Sequence, residues 1–325
     1  QIELQHLYRG AETLVEGGVN RLIQIGSYAN SSSTPCHADA DKLFGQHCAI
    51  LGSTGSGKSG TVSSLLHAIL EKKNENIRPR IIVIDPHGEY GQCFGDRAVV
   101  YRAYNNLGQG EGEGTLLRLP YWLMSGDEFR SLVIGKGEHE ATTQHNIVYR
   151  ALSHSRMVER GMVAPATDWT GNPPDSDPLQ PSPLGNFTKA NLEAFDRDLP
   201  IPFKLQEFED HVTLHQGVAI KGTGTNKTWD KMSTSAFSAH QSILNKLSVL
   251  KSDPRINFMM EEHSETSLTL PKIIEQFVGY GDDERDIRVI DISGLPNEVA
   301  GPLTALIARL LFQYKVWETR EEREK

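Results

Sequence analysis

Short apolar runs and helical stripes alternate along the chain, and their order predicts an α/β protein built on a parallel sheet. Cys48-Ala49-Ile50-Leu51 reads as a short buried strand. Ile81-Ile82-Val83-Ile84 is a continuous apolar run with a polar cluster at its C-terminal end, the pattern of a strand covered on both faces. Val99-Val100-Tyr101-Arg102-Ala103 and Ile287-Arg288-Val289-Ile290-Asp291-Ile292 predict two more strands, and Leu22-Ile23-Gln24-Ile25-Gly26 another, followed by a polar loop over Asn30-Ser31-Ser32-Ser33-Thr34-Pro35. Val62, Leu65, Leu66, Ile69 and Leu70 recur at i, i+3, i+4, i+7 and i+8, which predicts a helix ending near Lys73 with one apolar stripe for the sheet. Leu303, Leu306, Ile307, Leu310, Leu311 and Tyr314 repeat the pattern, with Pro302 suited to a first helical position.

Between these segments the period changes. From Ser125 to about Lys251 the pattern is helical, with helices expected over Asp127–Ile134, Gln144–Met157, Phe187–Asp196 and Ser235–Lys251. The Pro-rich stretch Ala164–Pro183 and the loop Gly222–Lys227 interrupt them, and Gly108–Gly114 is too polar and flexible to pack. The expected organisation is a lead-in segment over 1–44, an α/β core over 45–124 and 252–325, and an all-α insertion over 125–251 carrying the Pro-rich loop 164–183.

Composition narrows the class. The 325 residues suffice for one elaborated domain or two smaller ones. A net charge of −9 excludes a generally basic nucleic-acid coat but leaves room for a local basic stripe. Cys36, Cys48 and Cys93 lack CxxC or Cys/His spacing, so neither disulfides nor zinc are expected. No run approaches the roughly 18 apolar residues of a membrane span, and no signal peptide opens the chain; a cytoplasmic protein without membrane contact is expected. A chain that starts at Gln1 rather than Met is expected to be trimmed at its front, and a missing stretch at the back is an equal expectation.

The chemistry concentrates in Gly52-Ser53-Thr54-Gly55-Ser56-Gly57-Lys58-Ser59, a full match to the phosphate-cradling loop, placed between a predicted strand and a predicted helix. Its glycines permit a tight turn that aims backbone N–H groups at phosphates, and the helix that follows adds its positive end. Gly52 to Ser59 and the next residue, Gly60, form the expected nucleotide-binding set. Lys58 is expected to reach the β/γ-phosphates and Ser59 to offer its hydroxyl to Mg²⁺, so ATP and Mg²⁺ are the expected cofactors. Asp85 and Glu89 follow the 81–84 strand, at the edge where open α/β sheets bind ligands. Asp85 is assigned with Ser59 to the metal, and Lys58, Asp85 and Glu89 to catalysis; Asp85 and Glu89 either hold Mg²⁺ and water or engage a neighbouring subunit. The simpler alternative is an ordinary turn with solvated carboxylates, in which His87 also bonds.

Three ordered motifs, Phe44 through Ser59, Ile84-Asp85-Pro86-His87-Gly88-Glu89-Tyr90 and Ile290-Asp291-Ile292-Ser293-Gly294-Leu295-Pro296, resemble the HerA branch of the FtsK–HerA ATPases. The likeness runs roughly from residue 20 to 317, and Asp253-Pro254-Arg255 before Phe258 belongs to it. The resemblance implies a RecA-like P-loop NTPase core in a ring, a homo-oligomer of hexameric type that translocates or unwinds DNA at the expense of ATP. It further implies a partner nuclease or sirtuin-like effector subunit, in DNA end processing or anti-phage defence. Relatives of this kind begin with a small β-barrel and continue into a Glu-Glu-Ala-His-like strand whose glutamate activates water. Neither is expected within these residues, so the chain is expected to bind nucleotide better than it hydrolyses it. Glu261-Glu262-His263 falls at the wrong place in the order to substitute, and Gln46 stands where the resemblance calls for an arginine. Arg288 reads as a surface group. An ATP-binding ring that assembles or switches a partner enzyme without translocating uses the same motifs; a small-molecule kinase is disfavoured because the insertion shows no basic phosphate clamp.

Overall fold

The computed structural model describes residues 22–29, 31–45, 47–71, 79–104, 115–134, 141–168, 183–216, 219–221, 228–230, 233–262, 264, 268–279 and 285–318. Its strands are β1 (Leu22–Tyr28), β2 (Ser31–Asp39), β3 (Ile81–Asp85), β4 (Ala98–Arg102), β5 (Thr115–Leu116), β6 (Ala219–Lys221), β7 (Thr228–Asp230) and β8 (Ile287–Asp291). Its helices are α1 (Ala40–Phe44), α2 (Lys58–Leu70), α3 (Gly126–Val133), α4 (Ala141–Glu159), α5 (Lys189–Glu193), α6 (Leu205–Gln216), α7 (Thr234–Ser252), α8 (Asn257–Met260), α9 (Leu270–Val278) and α10 (Asn297–Trp317). The chain divides into two compact units, one of residues 1–102, 111–115 and 275–293, the other of 103–110, 116–274 and 294–325.

The first unit is α/β. Its sheet runs in the order β3-β8-β4-β5, and β8 is parallel to both β3 and β4. Flanked on both sides, β8 is buried from Ile287 to Ile290, whereas Ile81 to Ile84 of β3 are only half-buried. The expected stripe of α2 does pack here, with Leu66 and Leu70 meeting Ile81, Val83, Ile287 and Val289, while Ile69 turns to Ile23 and Ala40.

Several local expectations fail for identifiable reasons. Residues 48–51 form no strand: no described segment pairs with them, and Leu51 is 90% exposed. Residues 31–35 are strand rather than loop, because β2 pairs antiparallel with β1 from Ser31 to Asp39. The Ser/Thr run tolerates that conformation, and Pro35 sits opposite Ser27 beside a register irregularity, where its missing N–H is accommodated. Pro302 lies inside α10 instead of opening it, since the helix starts at Asn297. Arg288 is no surface group: it is 3% exposed and donates through Nη1 to the Arg285 carbonyl at 2.6 Å. The Gly108–Gly114 loop, most of the Pro-rich stretch and the 222–227 loop lie outside the described residues.

The second unit is mainly helical around an aromatic core, and the short antiparallel pair β6-β7 departs from the all-α pattern expected over 125–251. Tyr121 and Phe203 meet edge to face at 5.1 Å, as do Phe129 and Phe208. Ser125 and Glu128 close a capping box on α3, and Glu128 also accepts from Nε and Nη2 of Arg309 on α10, each at 2.8 Å. Arg156 is fully buried and donates to the carbonyls of Trp122 and Met124; burial pulls its guanidinium down to about 10. Helix α6 escapes the sequence pattern because His211, His215 and Gln216 share its buried face with Leu205, Phe208 and Val212. Among the described residues, no helix is long and apolar enough to cross a membrane.

The buried histidines generate a pH expectation. The His211 ring stacks between His154 and His215 at centroid separations of 4.5 and 4.2 Å. Burial, reinforced by the His215 and His154 charges, holds its pKa well below the ordinary value of 6.5. Below that pH the unfolded chain takes up a proton that the folded chain refuses, so this contribution is present above about 6.5 and is lost as pH falls. The loss is roughly 1 kcal/mol per pH unit, a few degrees in Tm between about pH 7.5 and 5.5. His211→Phe retains a buried ring without the titration and should flatten that fall in thermal unfolding; an unchanged slope would locate the titration elsewhere.

Candidate nucleotide site

The phosphate loop is shaped by its glycines. Gly55 and Gly57 adopt φ of +80° and +86°, in the left-handed region that side chains disfavour. A Cβ at Gly52 would meet Ser56 Oγ at 2.4 Å, so a side chain there would force Ser56 aside. The loop closes with Ser56 N donating to the Ser53 carbonyl at 3.2 Å. Lys58 opens α2 and returns over the loop, its Nζ donating to the same carbonyl at 2.8 Å. The N-cap Gly57 supplies no side-chain acceptor, so the first-turn N–H groups of a 13-residue helix are left uncapped beside exposed backbone from Gly52 to Gly57. An exposed loop with uncapped N–H groups and one lysine fits an anionic phosphate chain.

The second side of the site is the turn after β3. Asp85 is 1% exposed, and its carboxylate accepts from three backbone N–H groups: His87 at 3.3 Å and Glu89 at 3.1 Å on Oδ1, Tyr90 at 2.8 Å on Oδ2. An ionised carboxylate offers about four lone-pair directions, so one is left after the turn is satisfied. Tyr90 continues into the core against Leu70 and Phe94, which fixes the far end of the turn. Glu89 accepts a hydrogen bond from the Ser59 hydroxyl. The structure therefore brings Lys58, Ser59 and Glu89 to one place, with Asp85 beneath them as the anchor.

Ser59 and Glu89 together present oxygen donors of the kind a magnesium ion takes. Among the described residues no group of three His, Cys, Asp or Glu could hold a metal unaided, so such an ion would complete its shell from phosphate oxygens and water.

Sequence reasoning missed two residues here. Asp85, Asp291 and Arg102 end three adjacent parallel strands in register, Asp291 between the other two. Arg102 Nε faces Asp291 Oδ2 at 3.6 Å. The signal available in the sequence was the shared ending of two apolar runs, Val83-Ile84-Asp85 and Val289-Ile290-Asp291. Glu262 is engaged elsewhere, accepting from Leu205 N and Gln206 N at the start of α6 and from Tyr121 Oη. Gln46 and His263 lie outside the described residues.

The family model described as the central domain of helicase HerA matches residues 23–311. The chain belongs to the HerA central-domain family. Its curated relatives include a probable helicase of Methanocaldococcus jannaschii, 38% identical over 71 residues, which are 22% of this chain and 13% of that protein. A probable DNA double-strand break repair helicase HerA of the same organism is 31% identical over 146 residues, 43% of this chain and 25% of the relative. The DNA double-strand break repair helicase HerA of Pyrococcus furiosus is 29% identical over 87 residues, 26% and 15% of the two chains. The chain thus matches a quarter or less of each of these relatives. As a HerA-family member it has the expected P-loop NTPase core, with the parallel sheet described above.

Two substitutions separate the roles in this HerA-type loop. Lys58→Ala removes a charge-assisted phosphate contact and should weaken ATP binding about 10- to 100-fold with or without Mg²⁺. Ser59→Ala should weaken it only when Mg²⁺ is present. Equilibrium titration with a fluorescent ATP analogue distinguishes them, and wild-type affinity in Lys58→Ala would remove the loop from the site.

Proposed function

We propose that this chain is the ATP-hydrolysing core of a ring-forming DNA translocase or helicase of HerA type. The observation that carries the reading is the convergence of Lys58, Ser59 and Glu89 on a glycine-shaped loop at the head of α2. In this reading residues 52–60 bind the phosphates through backbone N–H groups, and Lys58 exchanges its contact with the Ser53 carbonyl for phosphate oxygens. Ser59 and Glu89 hold the Mg²⁺ side, and Asp85 serves it through the turn and its remaining lone-pair direction. Bound Mg-ATP supplies the labile γ-phosphoryl group; the chain's own residues bind it, orient it and balance its charge.

The relatives' names support DNA as the polymer acted on. The proposed assembly is a homo-oligomer, six-fold in the manner of HerA-type rings, acting in the cytoplasm with a partner nuclease or effector enzyme in DNA end processing or anti-phage defence. The charge of −9 directs the DNA contact to a local channel lining, since the protein surface as a whole is acidic. The helical segment 125–251 is proposed as an insertion in the ATPase core.

DNA-dependent turnover tests the proposal. ATP hydrolysis by the assembled protein with its co-purifying partner should rise on adding duplex DNA. Binding of that DNA should weaken by about 10³-fold between roughly 50 and 200 mM salt, as counterion release at several phosphate contacts requires. Hydrolysis indifferent to DNA, together with ATP-dependent control of the partner's activity, would replace the motor with the scaffold.

A further inference from the structure

We propose that Asp291, held by Arg102, is a positioning residue for the metal side of the nucleotide site, acting through Ser293 and the Gly88 turn on Glu89. The proposal rests on the nucleotide reading above and assigns a role to residues that the reading leaves unused.

Asp291 ends β8 directly beside Asp85 at the end of β3. Two carboxylates at paired positions on neighbouring strands repel each other. Arg102, paired with Asp291 from the other side, offsets that repulsion: its Nε lies 3.6 Å from Asp291 Oδ2, with the two side chains only 19% and 16% exposed. The other oxygen, Oδ1, accepts from both the backbone N–H and the hydroxyl of Ser293, at 3.0 and 2.7 Å. Asp291 therefore holds Ser293 by both its backbone N–H and its hydroxyl.

Ser293 in turn bears on the turn that carries Glu89. Gly88 has a φ of +70°, and a Cβ built on it would stand 3.1 Å from Ser293 Oγ and 3.8 Å from Asp291 Oδ1. A second tie runs one level below, where Ile292 N donates to the Asp85 carbonyl at 3.1 Å. The next residue after Gly88 is Glu89, which accepts from Ser59. The path from Arg102 to Ser59 thus runs through an ion pair, a hydrogen bond, the close approach of Ser293 to the side-chain-free face of Gly88, one peptide step and a second hydrogen bond. Asp291 itself bonds none of the phosphate-loop residues. Its effect reaches the site only by holding the turn in place, so it should register in metal-dependent binding and leave the loop's grip on phosphate alone.

The test is ATP affinity with and without Mg²⁺, measured on the full chain by titration with a fluorescent ATP analogue. Asp291→Asn and Ser293→Ala should each weaken Mg²⁺-dependent binding by roughly 10-fold, the usual effect of removing a group that supports a metal ligand, with metal-free binding unchanged. Asp291→Asn combined with Glu89→Gln should bind no more weakly than Glu89→Gln alone, since both act through one carboxylate. Circular dichroism verifies the fold of each variant; should Asp291→Asn unfold, Ser293→Ala with and without Glu89→Gln decides by itself. Wild-type Mg²⁺ dependence in the variants, or losses that simply add to that of Glu89→Gln, would overturn the coupling while leaving the nucleotide site standing. A parent chain that binds no ATP would remove the nucleotide reading and this inference with it.

Discussion

One buried carboxylate holds the candidate site together. Asp85 is almost wholly removed from water, and burying an ionised carboxylate is tolerable only when hydrogen bonds replace its hydration. Three backbone N–H groups do so, all from the turn that follows β3. The charge and the turn thus stabilise each other. Tyr90 is tied into the core beyond the turn, and Glu89, the residue before it, meets Ser59 of α2.

The sheet supplies the second constraint. Parallel pairing of β3, β8 and β4 brings their last residues to one edge, where ligands of open α/β sheets bind. Across that edge two carboxylates, Asp85 and Asp291, stand side by side, and the Arg102 guanidinium faces Asp291 from the other side. The phosphate loop reaches the same unit by another route, through the packing of Leu66, Ile69 and Leu70 against the sheet and the residues beside it. Apolar burial places α2, and polar contacts at the two turns then set the chemistry within it.

Legibility in the sequence followed the range of the interactions. The loop from Gly52 to Ser59 was readable because its geometry is local: each glycine answers to its own backbone angle, and Lys58 and Ser59 sit at fixed steps into the helix. The place of Asp85 and Glu89 at a strand's end was readable for the same reason. The pairing of Asp291 with Arg102 was not, since it depends on which strands become neighbours across nearly two hundred residues of intervening chain. The helix Leu205–Gln216 was hidden by buried histidines that look polar in sequence, and residues 31–35 were misread because composition alone favours a turn where cross-strand pairing imposes a strand. The 48–51 run, exposed except for the half-buried Ile50, shows the converse, apolar residues without a described neighbour to pair with.

The anchoring role of Asp85 is most directly tested by amide hydrogen exchange in wild-type protein and in Asp85→Ala. Both the Glu89 and the Tyr90 amides should be protected in the wild type and exchange much faster in the variant, while amides of β8 keep their protection. Equal protection of Glu89 and Tyr90 in the two proteins would contradict the dependence of the turn, and of the Ser59–Glu89 contact, on that carboxylate.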